Sequence, residues 1–285
     1  MGVSKTVIDS GDGAEITALI YAPESNASDF SFICLPAMGV KASYYNPVAE
    51  RLVRKGHIVV LCDLRGQGTS NQNPASIMFG YKESLELDLP AIINQIKQKF
   101  PDKRRIFLGH SLGGQLGLLH ASVNPKAVDA IAIIASGSVY YKAYKFPHNL
   151  KVLLATQSSI LISAFFGYFP GHKIGFGGKQ PKTVMRDWAY QARTGNYNPK
   201  GSELDYGMAM QKLKMPIFAC SIERDNFAPH SATDHLVSKL INANITRCKY
   251  EPSAHLKDKI DHFKWVKNNE EIIDIVCNWV DQNFD

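Results

Sequence analysis

Ser111 lies in IFLGHSLGGQLG, residues 106 to 117, where an apolar run meets a serine with glycines two residues away on either side. A serine hydroxyl is a weak nucleophile. It attacks a carbonyl only when a base takes its proton and a third group orients that base. Gly109-His110-Ser111-Leu112-Gly113 fits G-x-S-x-G, the spacing of a sharp strand-to-helix turn whose small flanking residues let strand and helix approach closely. The hydroxyl then stands above a sheet at the positive end of a helix, with Leu112 N–H aimed at an incoming carbonyl oxygen.

The partners must come from far along the chain. Two histidines follow the strand-like run ITRCKYE. His262, which precedes Phe263-Lys264-Trp265 and the final helix, is favoured as the base over His255 in the charged loop SAHLKDKID. His110 is inside the turn and His120 lies on the helix after it, so neither fits the role. The orienting acid is expected after a late strand, where SIERDNFAP supplies Glu223 and Asp225. Asp225 is favoured because it falls in the turn leading to Pro229, whereas Glu223 still belongs to the strand end. A second oxyanion donor is expected from LPAMGV, as Met38 N–H placed by a tight turn at Gly39.

These residues need a scaffold, and the patterning supplies one. Short β-branched runs alternate with amphipathic stretches, the signature of a parallel sheet with helices on both faces. TVID and ITALIYAP flank a glycine-containing turn and predict an antiparallel opening hairpin. SFICLPA, HIVVLCD, RRIFLGH and VDAIAIIAS follow as strands separated by helices. In the helix through LELDLPAIINQIKQKF, Leu89, Ile92, Ile93 and Ile96 recur at helical spacing and mark its buried face. The next strand, MPIFACSIE, comes only after a gap too long for an ordinary crossover. Residues 138–212 are therefore read as an inserted cap, and 1–137 with 213–285 as the core domain. The cap holds 13 of the 29 aromatic residues, and most of them must build its own core.

Composition narrows the class further. At 285 residues and 45% hydrophobic the chain can bury one large core plus a lid. The five cysteines are odd in number, and four of them, Cys34, Cys62, Cys220 and Cys248, fall within predicted strands. They read as small core residues of a reducing cytoplasm. No C-x-x-C or H-E-x-x-H occurs, so no metal site is expected, and nothing resembles a nucleic-acid module. No charged n-region and apolar h-region open the chain, so no secretory signal is expected. MGVSKT matches the N-myristoylation pattern in letters only, and Thr6 to Ile8 already begins a strand. The uncharged run from Val152 to Gly171 is long enough to span a bilayer, but its Thr156, Gln157, Ser158, Ser159 and Ser163 suit a half-buried helix pair better. No stable membrane insertion is expected. Residues 138–212 carry ten Lys or Arg against three Asp or Glu, so this segment is +7 while the whole chain is +6.

With Ser111, Asp225 and His262 in that order, the chain resembles the α/β-hydrolase family over nearly its full length. Asp63-Leu64-Arg65-Gly66-Gln67-Gly68-Thr69-Ser70 fits the D-x-R-G-x-G-x-S segment of many members and is read as a structural loop beside the pocket. LPAMGV, GHSLGGQ, GYFPG, GFGG and MRDW together are similar to a subgroup of bacterial α/β hydrolases without a settled substrate. One departure is that Pro36-Ala37 replaces the His-Gly common before the oxyanion residue. The resemblance implies the α/β-hydrolase fold, with a mostly parallel central sheet, helices on both faces and an inserted helical cap. It also implies a cofactor-free serine hydrolase for a small-molecule acyl ester or thioester. Met38 and Leu112 would form the oxyanion hole, and Phe165, Phe166 and Trp188 would line an acyl pocket. A carboxylate at the elbow, as dehalogenases require, is missing. Two alternatives stay open. One is a peptidase or aminopeptidase-like amide hydrolase, for which the cap offers only Asp187, Glu203 and Asp205 to hold an amine. The other is a non-catalytic ligand-binding protein. Oligomeric state is not fixed by the sequence.

Overall fold

The computed structural model describes residues 1–24, 27–256 and 259–284. Its elements in chain order are β1 (Gly2–Asp9), β2 (Glu15–Ala22), β3 (Phe30–Leu35), α1 (Asn46–Arg54), β4 (Ile58–Cys62), α2 (Tyr81–Glu83), α3 (Leu89–Lys99), β5 (Arg104–His110), α4 (Leu112–Val123) and β6 (Ala130–Ile134). Next come α5 (His148–Phe166), β7 (Tyr168–Pro170), β8 (Lys179–Pro181), α6 (Lys182–Thr194) and α7 (Tyr206–Lys212). The chain closes with β9 (Pro216–Ile222), α8 (His230–Val237), β10 (Asn244–Tyr250) and α9 (Glu270–Phe284).

Eight strands form one sheet in the order β1-β2-β4-β3-β5-β6-β9-β10. β1 and β2 pair antiparallel, β2 meets β4 antiparallel, and all later pairs are parallel. This is the α/β-hydrolase arrangement. The period of two along each strand sorts the core into two layers. Ile33 and Leu35 of β3 face Ile92, Ile96, Leu116 and Leu119 of α3 and α4. Phe32 and Cys34 face the other way, toward Val48 and Leu52 of α1 and Ile273, Val276 and Trp279 of α9. Central strands β3, β4 and β6 are buried along their whole length, as a sheet covered on both faces requires.

The long helix before β5 is interrupted. A wide turn over Ser84–Asp88 separates α2 from α3, and Leu89 N–H bonds Ser84 O five residues back. Pro90 lacks an N–H, so regular spacing cannot continue through it. The wide turn carries Asp88, and its carboxylate receives Arg65 Nε with both oxygens at 3.1 Å.

Between β6 and β9 the insertion departs from one expectation. Val152 to Gly171 does not form a helix pair: α5 is one continuous helix, of which only Thr156, Ser159 and Ser163 are buried. It packs along α6, and β7 and β8 form a small antiparallel hairpin beside it. The last helix, α7, instead packs on α4 of the core, burying Tyr206 and Met210 in the core layer. Four cysteines lie in β3, β4, β9 and β10 and the fifth in α9, all of them free thiols.

Candidate active site

The turn that presents Ser111 is held by packing that excludes side chains. Ser111 adopts φ 52 and ψ −117 at the start of α4, a strained conformation for a residue with a Cβ. It persists because the flanking residues have none. A Cβ on Gly109 would overlap Gly114, and one on Gly113 would overlap the Leu35 carbonyl. The first approach closes the β5-to-α4 turn on itself, and the second holds it against the end of β3. Leu112, the first helical residue, has its N–H in the turn where no intrahelical carbonyl precedes it.

The structure brings three of the sequence-selected side chains into one hydrogen-bonded line. His262 Nε2 lies 3.1 Å from Ser111 Oγ, and its Nδ1 lies 2.7 Å from Asp225 Oδ2. Asp225 Oδ1 accepts the N–H groups of Phe227 and Ala228 at 2.8 and 2.9 Å, so the carboxylate is fixed by its own turn. Asp225 and His262 are buried, while Ser111 is half-buried. With Nδ1–H donated to Asp225, the Nε2 lone pair faces the serine hydroxyl. His255 is on the surface beside Ser253; Lys257 and Asp258 of its loop lie outside the described residues. Glu223 remains at the end of β9, with its N–H bonded to Tyr250 O.

Met38 sits in a tight turn closed by Val40 N–H on Ala37 O at 3.1 Å, and Gly39 has φ +77. A Cβ on Gly39 would overlap the Gly177 backbone, and one on Gly177 would sit 3.4 Å from Met38 Sδ. The GFGG segment of the insertion is therefore seated directly on this turn. Tyr45 ties the same loop to the nucleophile turn: its hydroxyl accepts Ala37 N–H at 2.9 Å and donates to His110 Nδ1 at 2.6 Å. Burial pushes the His110 imidazole well below its ordinary range, so it stays neutral beside His262, whose ring centroid is 4.9 Å away. Sequence reading missed both Tyr45 and His110, because spacing along the chain carries no sign that residues 37, 45 and 110 meet.

An apolar cavity of about 400 Å3 lies against this line. Its wall includes Tyr144, Val152, Phe169, Phe176, Trp188 and Phe227. Ser111 is not in that wall. Phe227 bridges the two, its ring 5.0 Å from His262 and stacked 5.8 Å from Phe176. Trp188 thus lines the cavity as expected, but Phe165 and Phe166 do not. They pack on each other at the exposed end of α5, because the face of α5 that turns inward is its small, hydroxyl-bearing one. Phe169, Phe176 and Phe227 take their place.

Among the described residues the cavity wall has no carboxylate, and only His148 and Lys151 are able to carry positive charge there. Asp187, the one buried acid of the insertion, is already engaged by Tyr81 N–H and Lys200 N–H, each at 3.0 Å. Burial pushes it up to about 6 from the 3.8 of an exposed carboxyl. The folded protein therefore holds this proton to higher pH than the unfolded chain does. The stability it contributes is full below about pH 4 and is lost as pH rises through about 6. Urea unfolding should show wild-type stability, relative to Asp187→Asn, falling by roughly 2–3 kcal/mol between pH 4 and pH 7. A difference flat with pH would refute the assignment.

Residues 30–195, more than half of the chain, match the family profile described as serine aminopeptidase, S33. The chain belongs to this family. Its fold is that of the α/β hydrolases. It is similar to the gastric triacylglycerol lipase of Rattus norvegicus, with 36% identity over 146 residues covering 45% of this chain and 37% of the lipase. Lysophospholipase L2 of Escherichia coli (strain K12) is 34% identical over 94 residues, 32% of this chain and 28% of that one. The chain thus matches less than half the length of these curated relatives. Among solved structures, DcsB in complex with its substrate analogue superposes with a TM-score of 0.69 and 16% identity over 99% of both chains.

Proposed function

We propose that this member of the family is a serine hydrolase that cleaves small or medium acyl esters, or thioesters, through an acyl-enzyme intermediate on Ser111. The observation that carries the reading is the hydrogen-bonded Asp225–His262–Ser111 line, beside which Phe227 joins His262 to an apolar cavity. In the reaction His262 takes the Ser111 proton as Oγ attacks the acyl carbonyl, and the imidazolium formed is stabilised by Asp225. Met38 and Leu112 N–H groups receive the oxyanion of the tetrahedral intermediate. His262 then gives its proton to the leaving alkoxide or thiolate, and water repeats the sequence to release the acid. The insertion acts as a cap whose Phe169, Phe176 and Trp188 hold the acyl chain. The five free thiols suit a reducing cytoplasm.

Lipase and lysophospholipase relatives support ester chemistry. An aminopeptidase role, which the family description suggests, needs a carboxylate to hold the substrate's free amine. The apolar wall supplies none, and Asp187 is committed elsewhere. The test is turnover of p-nitrophenyl esters of graded acyl length against aminoacyl p-nitroanilides. Hydrolysis is expected to peak at short to medium acyl chains, with the anilides left intact. Preferred cleavage of the anilides would reverse the conclusion.

A further inference from the structure

Helix α5 has its faces the wrong way round for water. Leu150, Leu154, Leu161 and Phe165 are 46%, 69%, 73% and 84% exposed. At about 100° per residue they fall within roughly 60° of one another on the helix surface. Thr156, Ser159 and Ser163 occupy the opposite side and are buried. Their hydroxyls are returned to carbonyls of the same helix, Val152 O at 2.8 Å, Thr156 O at 2.7 Å and Ile160 O at 2.9 Å. A surface helix in water buries its leucine stripe and exposes its serines. The reversal means that the medium meeting this stripe is itself apolar. Phe146 and Ile174 extend the patch, both well exposed.

The charge around the patch indicates which apolar medium. Lys142 and Lys145 shortly precede α5, Lys151 lies on it and Lys173 adjoins Ile174; all four are exposed, and among the described residues none of the four pairs with a carboxylate. Residues 138–212 carry a net +7. A second copy of the chain fits poorly, since a two-fold contact would set the same lysines against each other. We propose that α5 docks the protein on a membrane surface bearing anionic phospholipids, with the Leu/Phe stripe in the headgroup–acyl boundary and the lysines among the phosphates. The helix has the length and composition of a span, 19 residues at mean hydropathy 1.3. It lies in the plane of the surface, because its other faces are fixed to α6 and to the cavity. Lys151, Ala155, Ser158 and Ile162 of α5 line that cavity next to the stripe, so its mouth opens at the docked surface. The last point, entry of an ester's acyl chain from the bilayer, rests on the hydrolase reading; docking itself does not.

Co-sedimentation of the full chain with vesicles tests this directly. Binding is expected to phosphatidylcholine vesicles containing about one quarter phosphatidylglycerol, and to be much weaker to phosphatidylcholine alone. Leu150→Ser/Leu154→Ser/Leu161→Ser should lower vesicle affinity by at least about tenfold. These residues are already exposed, so an unchanged melting temperature is expected with it. Lys142→Gln/Lys145→Gln/Lys151→Gln should erase the preference for anionic vesicles, at roughly fivefold per lysine. Three results would overturn the proposal: a chain that stays in the supernatant with anionic vesicles, a triple-serine variant that binds as well as wild type, or a dimer in sedimentation that the triple-serine variant dissociates. Because binding is read without substrate, its failure leaves ester turnover untouched, and loss of turnover leaves docking untouched.

Discussion

Ser111→Ala is expected to lower kcat on an acyl ester by about 10⁴-fold or more and to abolish labelling by a fluorophosphonate probe. The size follows from the proposed mechanism: the hydroxyl is the group that takes the acyl carbon, and neither His262 nor Asp225, its partners in the line, replaces it. His262→Ala should have a comparable effect. Asp225→Asn should cost about 10⁴-fold, because an amide donates to Nδ1 and forces the wrong imidazole tautomer. His255→Ala is the control and should label like wild type, since its ring lies at the surface beside Ser253. Labelling that survives Ser111→Ala, or that vanishes in His255→Ala, would remove the basis of the proposed mechanism.

The largest stability loss is expected away from the site, at Arg65. Its guanidinium is buried and grips both oxygens of Asp88 at 3.1 Å, while Nη1 reaches Asp12 Oδ2 at 2.6 Å. Burial raises the Asp88 carboxyl above its ordinary value even with Arg65 opposing the shift. Arg65→Met would strand a carboxylate that is 3% exposed. Removing one partner of such a pair costs roughly 3–5 kcal/mol. In a domain of this size that lowers Tm by roughly 5–15 °C. Adding Asp88→Leu should recover most of the loss, because an apolar pair of similar volume stands in well for a buried ion pair, and Asp12 can turn to water. A single variant melting within a degree or two of wild type would show that the cluster is not structural.

How much of this was legible beforehand depended on whether the signal was local. The alternating runs gave the sheet and its helices because each strand and each helix face is a short-range pattern. The buried positions Leu89, Ile92, Ile93 and Ile96 of α3 are one case. Gly109, Ser111 and Gly113 were legible for the same reason, and chain order carried the reading on to Asp225 and His262. The small β7–β8 hairpin escaped notice, since three-residue strands flanked by glycine and proline leave no periodicity. Phe165 and Phe166 stay out of the cavity wall because the rule that apolar residues turn inward fails on α5. The segment that bears Arg65 reads as a structural loop, but the partners of Arg65, Asp12 and Asp88, lie 53 and 23 residues away and only the folded chain brings them together.

The contact of Gly39 with Gly177 carries a mechanical consequence. Two glycine backbones touch there with no side chain between them, one in the turn that bears Met38 and the other in the loop joining β7 to β8. Nothing compressible separates the two segments. A tilt of the β7–β8 hairpin would therefore press directly on the turn that bears Met38, so that on the proposed mechanism admission of a ligand beneath the insertion and the placing of the Met38 amide would form a single movement.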